Sequence, residues 1–353
     1  MTVVRRVRDW LQSRGTECRP GTRDGRILAA ASGGADSSAL VLALAESLNS
    51  LGCDPASVLV IAHFNHRLRS DGEHAVDLDV VRALAARAGA SLVVAEAAPG
   101  EIPQRAGAQG GLESAARRLR YEFLSAAANA TGARTICTGH TRDDQAETVL
   151  MRLLSGIEGV LLAGIPRSRQ LDERLLIERP LLDASRSEIE CYLEQNGVQW
   201  SSDRTNLVTQ HRRNRVRHEV LPQIETVWPA ARRDLVVLGE AMAEYRVSMR
   251  RQTAAVGTVY EGSLARIPRA EFFTLAVDAR LELLYGVLNR LKLFAREDRP
   301  GHAFFAPLLG SDPGANRRLV EARGVRIELR GGSLVVGSIL SAPLNSGIFR
   351  DIG

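Results

Sequence analysis

Six consecutive residues, Ser32-Gly33-Gly34-Ala35-Asp36-Ser37, combine two glycines with hydroxyls and one carboxylate, and Ser38 follows them. Glycines let a backbone close on an anion and adopt positive φ, while hydroxyls add donors to the amides that a helix leaves unpaired at its start. That composition suits a pyrophosphate group. Asp36 has the wrong sign for direct contact with phosphate oxygens, so it is expected to meet a bridging Mg²⁺ or to cap the helix. A second constellation, His140-Thr141-Arg142-Asp143-Asp144-Gln145-Ala146-Glu147-Thr148, spaces a histidine and carboxylates at intervals of three and four. Those intervals put His140, Asp143 or Asp144, and Glu147 on one helical face, and clustered carboxylates attract either Mg²⁺ or an ammonium group. A third feature is basic: five arginines fall between Arg204 and Arg217. Phosphate contact is their natural use, with intramolecular carboxylates as the competing partners.

These residues need elements to hold them. Short apolar runs at 27–31, 58–62, 91–95 and 134–137 read as strands, and 36–49, 72–88, 112–130 and 143–154 read as helices. Such alternation predicts an α/β fold, a doubly wound parallel sheet covered on both faces, with ligands at the carboxyl ends of the strands. The glycine-rich turn follows the first strand and the acidic helix follows the fourth, so both are expected over one crevice. A further helix at 185–196 ends at Gly197, and the arginine-rich segment 201–219 closes at Pro222. The division is therefore set at 222/223: residues 1–222 form the nucleotide-binding domain, and 223–353 a mainly helical domain with helical periodicity at 226–251 and 270–292. A small terminal β-hairpin, 325–329 with 333–336, finishes it.

Composition narrows the function classes. The 353 residues are 45% hydrophobic and 25% charged, values of an ordinary globular chain with room for two or three domains. No apolar run approaches the roughly 18 residues of a membrane span. Residues 3–14 carry four arginines but are interrupted by Asp9, and read as an amphipathic helix rather than a transit peptide. Cys18, Cys53, Cys137 and Cys191 form no Cys-x-x-Cys pair, which argues against a disulfide framework, a zinc site or a cluster and fits a reducing cytoplasm. Lys292 is the single lysine, so a Walker A loop, which needs Gly-Lys-Ser/Thr, is excluded. The net charge of +5 leans towards an anionic partner.

The stretch Ser32 to Ser37 matches every fixed position of the Ser-Gly-Gly-x-Asp-Ser motif of the PP-loop ATP pyrophosphatases, and the chain resembles that family. The resemblance implies cleavage of ATP between its α and β phosphates and adenylation of a carbonyl oxygen. Further segments resemble the tRNA-isoleucine lysidine synthetases within it. They are His63-Phe64-Asn65-His66-Arg67-Leu68-Arg69, with Arg67 where that family has glycine; Glu113 through Arg117, Arg118, Arg120 and Tyr121 to Phe123; the His140 to Thr148 segment; Asp203-Arg204-Thr205-Asn206; and Arg213-Asn214-Arg215-Val216-Arg217. Together with the loop they cover about residues 25–222.

This resemblance implies ligation of free lysine to C2 of the wobble cytidine of an isoleucine tRNA with a CAU anticodon, using ATP and Mg²⁺. It assigns ATP binding to Ser32, Gly33, Gly34, Ala35, Asp36, Ser37 and Ser38, with Asp36 also on the metal. It assigns charge balance at the activated base to Arg117 and His140, lysine or metal to Asp143, Asp144 and Glu147, and tRNA to Asn206, Arg213, Asn214 and Arg217. The segment 154–160 departs from that family's arginine-bearing pattern, 107–111 is read as a loop, and a homodimer is compatible with the reading. The competing expectations are a tRNA-thiolating PP-loop enzyme, a small-molecule amide ligase and a nonenzymatic nucleotide-binding module.

Overall fold

The computed structural model describes residues 2–14, 25–68, 71–107, 111–157, 159–201, 212–293, 302–310, 319–322, 324–330 and 332–339. They fall into two compact units, 1–151 with 165–236, and 152–164 with 237–353.

In the first unit, helix α1 (Val3–Ser13) is capped by Thr2 and buries Val3, Val7 and Leu11, the four-residue spacing of one helical face. Then come β1 (Ile27–Ala30), α2 (Ala35–Ser50), α3 (Pro55–Val58), β2 (Leu59–Asn65), α4 (Asp71–Ala88), β3 (Ser91–Glu96), α5 (Glu101–Ala106), α6 (Leu112–Thr131), β4 (Thr135–Cys137) and α7 (Arg142–Leu154). Strands β5 (Ser168–Gln170) and β6 (Leu176–Glu178) follow, with α8 (Arg186–Gln195), α9 (Arg212–Arg215), a π-helical turn at Val216–Val220, α10 (Leu221–Val227) and α11 (Ala231–Thr253).

The sheet order is β3-β2-β1-β4-β6-β5. Pairing is parallel throughout except at the edge, where β5 runs antiparallel to β6. Neither β5 nor β6 is among the strands expected from sequence: each is three residues long and, unlike Ile136 and Cys137 of β4, β5 is polar throughout and exposed at both ends. Successive residues of β1 point to opposite faces. Ile27 and Ala29 join a core with α1, α2, α4 and α8, whereas Leu28 joins one with α6 residues Leu124, Ala127 and Ala128. A leucine or isoleucine buried as completely as Leu44 or Ile61 contributes about 1.5–3 kcal/mol. Between β1 and β4 the strand order reverses, and this is where an open α/β sheet leaves its crevice.

The first unit runs past 222 to Val236. Arg232, at the start of α11, reaches Asp143 at 3.0 Å and Glu225 at 3.0 Å, which ties that turn to α7 and α10.

In the second unit, β7 (Val259–Glu261), β8 (Leu264–Pro268), β9 (Leu319–Ala322), β10 (Val325–Arg330) and β11 (Ser333–Ser338) form an antiparallel sheet in the order β7-β8-β11-β10-β9. The expected hairpin is β10–β11, and three more strands extend it. Helices α12 (Arg269–Thr274), α13 (Val277–Arg290) and α14 (His302–Leu309) pack Phe272, Leu284, Tyr285 and Phe305 against its Ile267, Ile327 and Val336. The expected helix at 270–292 is thus two helices, with an extended Leu275 and Ala276 between them. Among the described residues no helix is long and apolar enough to cross a membrane.

Candidate active site

The turn after β1 enters α2 with Gly33 at φ +88° and Gly34 as an extended N-cap that supplies no side-chain hydrogen bond. Only glycine adopts the first conformation without strain. A Cβ on Gly33 would also lie 3.0 Å from the carbonyl oxygen of Asp77 on α4. The hydroxyls brace the turn from within. The Ser32 amide donates to Ser37 Oγ at 3.1 Å, Ser37 Oγ donates to the Gly34 carbonyl at 3.0 Å, and Ser38 Oγ donates to the same carbonyl at 2.9 Å. The first amide of α2 to find a helical acceptor is that of Ser38, which donates to Gly34 O at 3.0 Å. The amides of Ala35, Asp36 and Ser37 precede it and have no intrahelical partner, the condition for anion binding. Beneath the turn, the buried His63 places Nδ1 2.9 Å from the carbonyl of Ala31.

Asp36 is paired on one oxygen only. Its Oδ2 accepts from Arg186 Nη1 at 3.0 Å, and its Oδ1 is buried without a partner. Burial raises its pKa to about 6, with Asp144 adding to the rise and Arg186 opposing it. A desolvated carboxylate with one vacant oxygen fits a cation. Among the described residues no group of three or more His, Cys, Asp or Glu side chains forms a metal site by itself. Asp36 would be the residue to hold a Mg²⁺, which would supply positive charge against the phosphates.

The turn after β4 lies directly against this loop: a Cβ on Gly139 would stand 2.9 Å from the backbone carbon and oxygen of Asp36. The turns that carry the two expected halves of the site are thus in contact at the β1/β4 switch. His140 Nδ1 is 2.9 Å from Thr138 Oγ1. Burial pushes its pKa down to about 3, against the pull of Asp144 and with the help of Arg179, Arg213 and Arg117. The imidazole is therefore neutral at physiological pH. Arg117, on α6, stacks over the Tyr121 ring at 5.0 Å.

The acidic cluster and two of the arginines expected on RNA bond to each other. Asp144 Oδ1 accepts from Arg213 Nη2 at 3.0 Å and Arg217 Nη2 at 2.9 Å, while its Oδ2 takes the Thr141 amide at 2.9 Å. Glu147, with no exposed surface, accepts from Arg213 Nε at 3.0 Å and Arg217 Nε at 2.5 Å. Burial would raise the pKa of Asp144, but Arg213 and Arg217 outweigh it and hold the carboxyl below its ordinary value. Burial would likewise lower Arg217, and Glu147 with Asp144 raises it instead. Asp143 turns to a different pair, accepting from the Arg186 amide at 2.7 Å and Arg232 Nη1 at 3.0 Å. Asn214 sits half buried between the two arginines in sequence, and Asn206 with the rest of 203–206 lies outside the described residues, as does 108–110 of the expected loop.

Sequence reasoning missed Arg186, Gly139 and Arg232. Arg186 opens α8 behind a Ser185–Glu188 capping box. Only its distance from Asp36 in space, not in sequence, marks it.

Residues 3–224 match the family described as PP-loop domain. The chain is 33% identical over 329 residues to a tRNA(Ile)-lysidine synthase of Treponema pallidum, covering 90% of this chain and 65% of that one. It is 41% identical over 224 residues to the tRNA(Ile)-lysidine synthase of Symbiobacterium thermophilum, covering 64% of this chain and 44% of that one. The chain thus spans between under half and just under two thirds of the length of these relatives. Among solved structures, a U34-tRNA thiolase from Methanococcus maripaludis shares the fold with a TM-score of 0.52 at 16% identity, over 69% of this chain and 78% of that one.

Proposed function

The chain belongs to the PP-loop domain family, and from that premise we propose that it ligates lysine to C2 of the wobble cytidine of an isoleucine tRNA with a CAU anticodon, at the expense of ATP. One observation carries the reading. The turn that carries His140 packs against the turn that carries Asp36 and the uncapped amides of α2, at the β1/β4 switch. The similarity to proteins named tRNA(Ile)-lysidine synthase supports this choice of substrates.

The chemical problem is the leaving group, because an oxide does not depart from C2 of cytidine. Attack of that oxygen on the α-phosphate of ATP releases pyrophosphate and leaves an adenylated cytidine, from which an amine displaces AMP. The residues 32–38 would hold the phosphates, and Asp36 would carry the Mg²⁺ that offsets their charge. His140, being neutral, would serve as a hydrogen-bond donor to the activated base, with Arg117 as the fixed cation beside it. Lysine would meet Asp143, Asp144 and Glu147 by exchange. An ammonium enters that cluster as Arg213 or Arg217 gives up a carboxylate oxygen, which frees the guanidinium for RNA phosphate.

The test is direct. The protein is incubated with ATP, labelled lysine and unmodified isoleucine tRNA bearing CAU. Label in the RNA, with AMP and pyrophosphate formed in equal amounts, is the expected result. RNA-dependent pyrophosphate release without lysine incorporation would reject the ligation and point to another acceptor, sulfur included.

A further inference from the structure

Tyr121, half buried on α6, is surrounded by guanidiniums. Arg117, Arg120 and Arg169 lie 5.0, 5.9 and 5.1 Å from its ring centroid, Arg117 Nη2 donates to the phenol oxygen at 3.4 Å, and Arg179, the residue after β6, is near enough to act on the phenol electrostatically. Arg179 is 2% exposed. Its Nη1 donates to the Pro166 carbonyl at 2.6 Å, and its Nε is buried with no partner. Among the described residues no carboxylate pairs with Arg179 or Arg120. A guanidinium buried without a counter-charge is strongly unfavourable, and structures keep one where an anion arrives.

The titration of the pocket carries the same sign. Burial lowers Arg179 and Arg120, and Arg117 adds to both. The phenol of Tyr121, which burial would raise, is instead lowered by Arg117, Arg120, Arg179 and Arg169. Tyr121 and Glu113 oppose the lowering of Arg120, and Tyr121 that of Arg179, without overcoming it.

Position separates this pocket from the phosphate turn. In the sheet, β6 is next to β4 and β4 is next to β1, so at ~4.8 Å per strand the end of β6 stands about 10 Å from the end of β1. His140 lies between, at the end of β4, and feels both Arg179 and Arg117. A base presented beside His140 would have the nucleotide's phosphates on one side and its own sugar–phosphate backbone on the other.

We propose that Arg117, Arg120, Arg169 and Arg179 around Tyr121 form a second phosphate subsite, which takes a phosphodiester of the RNA next to the reacting base. The inference rests on the reading above that the substrate is RNA. A phosphate of ATP offers the same oxyanion chemistry, so the experiment reads both ligands. The affinities of the intact protein for ATP and for an isoleucine anticodon stem-loop with CAU are measured over a range of salt, in the parent, Arg179→Met and Arg169→Gln. Each variant is expected to weaken RNA binding about ten-fold and to flatten the slope of log K against log salt by about 0.7–0.9, with ATP affinity unchanged. Unchanged RNA affinity and slope in folded Arg169→Gln, whose side chain stands at the half-buried rim, would overturn the subsite even where Arg179→Met fails to fold. Loss of ATP affinity with RNA binding intact would overturn it in favour of the nucleotide. A parent that binds ATP but no RNA would bring down the RNA reading itself, and the subsite's ligand with it.

Discussion

Arg217 Nε donates to Glu147 Oε1 at 2.5 Å, and Glu147 exposes no surface at all. With Arg213 and Asp144 the pair forms a closed cluster of two guanidiniums and two carboxylates. Removing one charge from such a cluster strands another. Glu147→Gln is expected to cost about 3–5 kcal/mol of stability, and Arg217→Gln less, because Arg213 still serves both carboxylates. Urea unfolding of the two variants checks this, and a Glu147→Gln protein as stable as the parent would count against the cluster. By the exchange argument, Arg217→Gln should also lower the lysine concentration needed for half-maximal ligation.

Two glycines set the shape of the crevice. Gly33→Ala places a Cβ at φ +88° and 3.0 Å from Asp77 O, and Gly139→Ala places one 2.9 Å from the backbone of Asp36. Each should cost about 1–3 kcal/mol, and each should weaken ATP binding at least ten-fold as α2 is displaced. Titration calorimetry with ATP reads the effect; an alanine at 139 that binds ATP normally would mean that the two turns are not in firm contact.

His140 is held neutral, with a pKa of about 3 against an ordinary 6.5. Below 6.5 the unfolded chain takes up a proton that the fold refuses, so the contribution is complete above 6.5 and is lost as pH falls towards 3. Between pH 6.5 and 5 the parent should lose about 2 kcal/mol more stability than His140→Asn. In ligation, His140→Ala is expected to reduce kcat about 10²-fold to 10³-fold, as for loss of a donor to developing charge. His140→Asn, which keeps a neutral donor, should retain more.

Asp36 shows the opposite sign. Its folded pKa of about 6 exceeds the ordinary 3.8, so the contribution is most favourable below 3.8, declines as pH rises to 6 and is constant above. In metal-free buffer at pH 7.5, Asp36→Asn should be more stable than the parent by up to about 3 kcal/mol. The same variant should lose the dependence of ATP binding on Mg²⁺. A less stable Asp36→Asn would show that the Arg186 pairing outweighs the burial of the charge.

The residues by themselves determined the strands and helices whose periods run long enough to read, together with the phosphate turn. Alternation along 27–30 and the run of small and hydroxylated residues at 32–38 are local patterns, and local patterns survive without a fold. Arg67 belongs here too: it takes φ +51°, the conformation for which glycine is the usual occupant, and its amide is held by Asn65 Oδ1 at 2.8 Å. What only the tertiary structure decided is which charge faces which. In sequence, Glu147 reads as a substrate or metal ligand and Arg217 as an RNA contact, with an intramolecular carboxylate as the competing partner. Folded, they neutralise each other, Arg186 reaches Asp36 and Arg179 is left without a counter-charge, because Coulomb energy depends on distance in space and on burial, and neither quantity is carried by a linear string of residues.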